Sequence, residues 1–174
     1  MFGECHAHIA MDGVNYASAM QRHEDGPDEA HIRACFEAYQ GRGISFVRDG
    51  GDKCGVSLAA RAIAPAYGID YRSPIFAIHK QGNYGSIVGR AFSDLREYAA
   101  LVDEAAALGA DFIKIMTTGI MDFNVFGRIT HHDLEASEVA EMVHIAHDHG
   151  LAVMSHTNGK RAVLDAGEAG VDSI

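Results

Sequence analysis

Two histidines one residue apart, His6 and His8, close a short opening run, Met1-Phe2-Gly3-Glu4-Cys5. On an extended segment side chains alternate faces, so His6 and His8 point the same way and their imidazoles can hold one metal ion. The pair alone reads more simply as one half-buried, hydrogen-bonded ring and one solvated ring. Two later residues change the weighting. Lys114 sits in the apolar run Ala110-Asp111-Phe112-Ile113-Lys114-Ile115, and His156 ends Ala152-Val153-Met154-Ser155-His156. Both stand toward the C-terminal ends of strand-like segments, as the histidine pair does. A metal site assembled from several strand ends is the simplest joint explanation.

A lysine between Ile113 and Ile115 is seldom buried without compensation. Either a carboxylate such as Asp49 or Asp111 satisfies it, or desolvation favours the neutral amine. A neutral amine can add carbon dioxide and lose a proton, giving a carbamate able to bridge two cations. With the histidines alongside, the carbamate is the preferred reading. Asp49 either orients a ligand or pairs with Arg48. His79 ends a strand and is a lesser candidate for touching substrate. Of the eleven histidines, the remainder read as surface groups. His144, His147 and His149 crowd one helix end, where positive charge suits the dipole. His131 and His132 precede a helix, and His23 and His31 read as exposed.

These residues need strands to carry them, and the pattern supplies strands alternating with helices. A helix is expected over Pro27 to Gln40, with Pro27 in its first turn and Gly41 and Gly43 as stops. A strand follows at Ile44-Ser45-Phe46-Val47, then a helix from Gly55 to Tyr67 and a third strand from Tyr71 to Ile78. Ser93 caps a helix reaching Leu108, with Leu95, Ala99, Val102 and Ala106 as its stripe. Asp111 to Met116 is the fourth strand. Ser137 to His149 is a helix with Val139, Met142, Val143 and Ala146 on one face. Leu151 to Ser155 is the fifth strand, Gly159 to Ala169 a helix, and Val171 to Ile174 the start of a sixth strand. The segments His79–Phe92 and Thr117–Asp133 are long, Gly-containing loops of the kind that line sites.

Strands apolar on both faces in βαβα order belong to a parallel sheet covered by helices. The expected fold is therefore α/β: part of a TIM (β/α)8 barrel, about five βα units plus the start of a sixth strand, with residues 1–174 forming one incomplete barrel domain. A closed barrel needs about 200 residues or more. An apolar strand with an unpaired edge is avoided by soluble proteins. The chain is thus expected to be a piece of a longer polypeptide, or to be completed by a homo-oligomer or a complementing chain segment.

The 174 residues, 48% hydrophobic, suffice for a real core. A net charge of −10 and a pI near 5.4 argue against a nucleic-acid binder and against an anionic membrane surface. No apolar run approaches the roughly 20 residues of a membrane span, and the opening residues lack the basic and apolar regions expected of a secretion signal. Three cysteines, Cys5, Cys35 and Cys54, form no CxxC and no even framework. They read as small buried residues in a reducing compartment, hence cytoplasmic. No GxSxG, P-loop or GxGxxG motif is present.

Together these segments resemble the amidohydrolase superfamily, in its prolidase-like and imidazolonepropionase-related branch. Glu4-Cys5-His6-Ala7-His8-Ile9 is similar to the family's first-strand HxH segment. Gly43 to Gly50 (GISFVRDG) is similar to its second strand, and Gly109 to Met116 (GADFIKIM) to its lysine-bearing strand. Ala146 to His156 resembles its helix–strand unit, and Gly167 to Ile174 its lead into the next strand. The resemblance implies that His6 and His8 hold one divalent ion and His156 another, with carbamylated Lys114 between them. The ions would be two zinc ions, and the reaction hydrolysis of an amide or peptide-like C–N bond in a small-molecule substrate. It also implies groups that lie beyond these residues: a further histidine at the sixth strand, an aspartate at the eighth and a flanking β-sandwich. Thr117-Thr118-Gly119 departs from the Ser-Gly-Gly of many relatives, which bears on substrate preference.

Three functions compete. The first is an amidohydrolase, with little activity expected from these residues alone. The second is a non-catalytic half-barrel that binds metal or self-associates. The third is a single-metal deaminase of the same fold, against which Lys114 argues, since one metal needs no bridging carbamate.

Overall fold

The computed structural model describes residues 2–174, so Met1 at the head of the opening run lies outside the described residues. The chain divides into two compact units, Met1–Phe76 and Ala77–Ile174. Each is α/β with parallel strands, and neither sheet closes on itself.

In the first unit the sheet order is β1-β2-β3, all parallel. β1 (Phe2–Ala7) leads through a six-residue helix, α1 (Tyr16–Gln21), and α2 (Glu29–Gln40) into β2 (Ile44–Asp49). Then α3 (Val56–Ile63) and a 3-10 turn (Ala64–Tyr67) lead into β3 (Asp70–Arg72). Asp28, not Pro27, starts α2, its carboxylate accepting from the Ala30 and His31 N–H groups. Ile32 and Phe36, one turn apart, are fully buried with Val47, Val56, Ala60 and Tyr71. The helix expected over Gly55 to Tyr67 changes type where Pro65 enters the 3-10 turn, because its ring cannot continue the α ladder. As the edge strand, β1 is largely exposed. Its register against β2 slips between Glu4 and Ala7, so one extra residue bulges around Cys5 and His6. The Arg48 Nε donates to the Cys5 carbonyl at 2.8 Å across that bulge.

In the second unit the order is β5-β4-β6-β7, again parallel. Its strands are β4 (Ala77–Lys80), β5 (Gly89–Phe92), β6 (Ile113–Met116) and β7 (Val153–His156), with α4 (Leu95–Ala107), α5 (Ala136–Asp148) and α6 (Lys160–Glu168) between and after them. The single strand expected over Tyr71 to Ile78 is interrupted at Ser73 to Phe76, β3 ending before it and β4 starting after it. β5 falls inside the segment expected to be a loop. Asp94 rather than Ser93 caps α4, accepting from Arg96 and Glu97 N–H groups, and Glu97 reaches back to the Ser93 N–H at 2.7 Å. The buried stripe of α4 is Tyr98, Val102 and Ala105. The Tyr98 hydroxyl donates to the Met142 carbonyl on α5 at 3.1 Å. α5 buries Val139, Met142, Val143 and Ala146, as the 3.6-residue period requires. Near the last residues Ser173 makes one parallel bridge to Met154 rather than a full strand.

The segment after β6 folds back on itself, with an antiparallel bridge between Met121 and Ile129 and an ion pair between Asp122 and Arg128. Phe123 and Phe126 stand at its tip almost wholly in solvent.

Candidate metal-ligand groups

His6, in β1, and His8, just after it, have ring centroids 5.4 Å apart. His8 Nδ1–H donates to the Gly51 carbonyl at 2.9 Å, which leaves Nε2 as the lone-pair nitrogen. Asp49, at the end of β2, is buried and does not act as a surface partner. Its Oδ2 accepts from the Ile9 N–H at 2.8 Å and its Oδ1 from the Gly51 N–H at 2.6 Å, with the Ser57 hydroxyl at 3.4 Å. Burial pushes the Asp49 carboxyl above its ordinary range, against the opposing pull of His8 and of the two N–H donors. Gly50 is glycine for a reason of space: a Cβ there would meet the His8 ring at 2.4 Å. A cavity of about 630 Å³ opens beside this group, its walls including Glu4, His6, His8, Asp12, His31 and Cys35.

In the second unit, register places Met116 beside His79 on β4 and beside His156 on β7, and Lys114 beside Ala77 and Met154. Lys114 lies two residues before Met116, so Lys114, His79 and His156 share one face of this sheet. Lys114 is 1% exposed, at the second position of the central strand β6. His79 is buried too, and its Nδ1–H donates to the Lys80 carbonyl at 3.0 Å. Gly85 closes over the His79 side chain, where a Cβ would come within 2.6 Å. The Tyr84 ring lies against His156, centroids 5.0 Å apart.

His156 Nε2 stands 3.1 Å from the Gly119 carbonyl and 3.0 Å from Asn158 Nδ2, which is itself 2.9 Å from the same carbonyl. That triangle is nearly equilateral. The Gly119 carbonyl, with two lone pairs, can receive both donors, and in that arrangement Nε2 is the protonated nitrogen of His156. The Thr117, Ser155 and Thr157 hydroxyls bond to one another just behind it at 2.6–3.3 Å.

The structure brings His6 and His8 together in one unit, and sets Lys114 and His156 on a common face of the other. Among the described residues, no three His, Cys, Asp or Glu side chains gather as a metal-holding group. The donors still fit a divalent ion in their chemistry. His8 and His156 each spend one ring nitrogen on a backbone carbonyl, the arrangement that orients metal-ligating imidazoles.

Three readings of the surface need correction. His23 is buried, not exposed, with Nδ1 accepting from the Asp28 N–H at 3.1 Å, and burial followed by the nearby His31 pushes its pKa down. His31 is half-buried, its Nε2–H donating to the Ile9 carbonyl at 3.0 Å. Cys5 is exposed rather than buried; all three cysteines are free thiols. The last-turn histidines of α5 do stay near solvent, facing acids: His144 with Asp148, His147 with Asp172, and His149 with Asp103. Sequence reasoning gave no role to Tyr84, Gly119 or Asn158. The visible signal was Asn158-Gly159 directly after the strand bearing His156.

No protein-family profile matches the chain, and no curated protein matches it. Solved structures do. A prolidase complexed with N-methylphosphonate-L-proline matches with a TM-score of 0.71 at 19% identity, over 98% of this chain and 46% of that one. Phenylurea hydrolase B matches with a TM-score of 0.71 at 19% identity, over 99% and 46%. Ochratoxinase from A. niger matches with a TM-score of 0.67 at 21% identity, over 97% and 46%. The chain spans about half the length of these structures. Over that span it resembles amidohydrolase-type hydrolases, and what the likeness shows is their α/β fold.

Proposed function

We propose that this chain supplies part of the metal centre of an amidohydrolase-type enzyme, which hydrolyses an amide or peptide-like C–N bond in a small substrate. The observation that carries the reading is Lys114, fully buried in a central strand on the face it shares with His79 and His156. The fold of the matched hydrolases supports part of a (β/α)8 barrel, in which strand ends carry the chemistry.

In this reading His6 and His8 would be donors to one divalent ion, and His156 with carbamylated Lys114 would be donors to another. Imidazole and carbamate donors suit zinc. When bound, such ions would supply Lewis acidity toward the substrate carbonyl and lower the pKa of a water. The protein's own contribution is orientation. Gly51 fixes one ring nitrogen of His8, and Gly119 fixes one of His156. A neutral Lys114 amine would add one carbon dioxide and release one proton to give the carbamate. Asp49 stays hydrogen-bonded behind the ligands as a positioning group. Three free thiols suit a reducing compartment such as the cytoplasm.

The test is zinc content after the full chain is dialysed against zinc and bicarbonate. Wild-type chain is expected to retain zinc, with H8A and H156A each losing most of it. Lys114→Ala is expected to lower it, and to remove a mass increment equal to one carbon dioxide. A wild-type chain that retains no zinc, or variants that load as wild type does, overturn the reading.

A further inference from the structure

We infer that Asp49, Gly50, Gly51 and His31 form a device that holds His8 in one tautomer and one orientation, with Nε2 presented as the donor atom. The inference deepens the proposed metal reading and rests on His8 being a ligand. The parts all belong to the first unit. Gly51 receives the His8 Nδ1–H at 2.9 Å. Gly50 leaves the space the ring fills, since any Cβ there would overlap it at 2.4 Å. The next peptide along, Ile9, is held at both ends: its N–H by the Asp49 carboxylate at 2.8 Å and its carbonyl by His31 Nε2–H at 3.0 Å. Asp49 also accepts from the Gly51 N–H at 2.6 Å, so one carboxylate holds both the backbone that follows His8 and the residue whose carbonyl accepts the His8 hydrogen bond.

That economy distinguishes a positioning role from ordinary packing. A carboxylate needed only to end β2 could be satisfied by any nearby N–H groups. Here its two oxygens go to the segments on either side of one imidazole, and a glycine pair is spent on clearance and on the acceptor. Gly51 has φ +87°, a conformation other residues seldom adopt, and it turns the carbonyl toward the ring. The outcome is an imidazole whose Nδ1 is committed before any ligand arrives. The entropy of choosing ring face and tautomer is then already spent.

The measurement is the long-range 1H–15N correlation spectrum of the metal-free full chain at about pH 8, where neutral imidazole prevails, with His8 assigned through His8→Gln. The expected result is a single Nδ1–H tautomer for His8. An Nε2–H form, or an even mixture of both, overturns the inference from the wild-type chain alone. Gly50→Ala is expected to abolish the single tautomer and to weaken zinc binding about 10–100-fold, with the backbone amide pattern of the sheet retained. Asp49→Asn keeps the side-chain shape but can accept at only one atom, and is expected to restore tautomer mixing. Variants that keep the wild-type His8 signals overturn the device. A wild-type His8 locked as Nδ1–H in a chain that binds no zinc supports the device while overturning the metal reading, so the two failures are distinguishable.

Discussion

Asp172 shows how a single carboxylate near the surface can matter. Burial works against its charge, but a hydrogen bond from His147 at 2.9 Å and one from the Val153 N–H at 2.7 Å hold its carboxyl below the ordinary value of 3.8. A depressed folded pKa means stability that is present above the unfolded value and is lost as pH falls through the folded one. Asp172→Asn is therefore expected to cost about 0.5–1 kcal/mol at neutral pH. The gap to wild type should close as pH falls below the ordinary value of 3.8 and through the lower folded one. Urea denaturation at neutral pH and across that range checks it. At this scale the sequence discloses pairs that are close along the chain: His6 and His8, two residues apart, have their rings side by side. It does not disclose partners brought in by tertiary contact. His23 reads as polar and hence exposed, yet it is buried with its ring accepting from Asp28. The hold of Asp49 on both Ile9 and Gly51 joins residues 40 apart in sequence, which no local pattern encodes.

Among the elements, α2 carries the largest stake of the first unit. Phe36 is wholly buried, its ring edge-on to Tyr71 at 5.8 Å and beside Tyr67 at 5.9 Å. Phe36→Ala is expected to destabilise by about 3–5 kcal/mol through lost transfer energy and the cavity left behind. The midpoint and slope of a urea titration measure this. At the start of α4, Asp94→Ala removes a cap serving two N–H groups and should cost about 1 kcal/mol in the same titration. α5 was fully legible, because its apolar residues recur at helical spacing and nothing competes. The α4 stripe was displaced because Tyr98, amphipathic by type, is the residue that goes deepest. β5 was missed because Gly-Arg-Ala-Phe lacks the β-branched residues that mark a strand, and its order comes from pairing with β4.

For the molecule as a whole, parallel α/β architecture was readable because β6 is apolar apart from Lys114 and is buried on both faces. Division into two sheets was not, since the break at Ser73 to Phe76 looks in sequence like one continuous strand. The most exposed apolar feature is the hairpin tip with Phe123 and Phe126, stiffened by the Asp122–Arg128 pair. Its consequence is practical. A neutral solvatochromic dye such as Nile red should brighten with the native chain, and F123S/F126S should remove most of that signal without shifting the urea midpoint. Fluorescence of that kind is commonly taken as a mark of loosened structure. For this chain it would report on an ordered turn, and purity or folding should be judged by another probe.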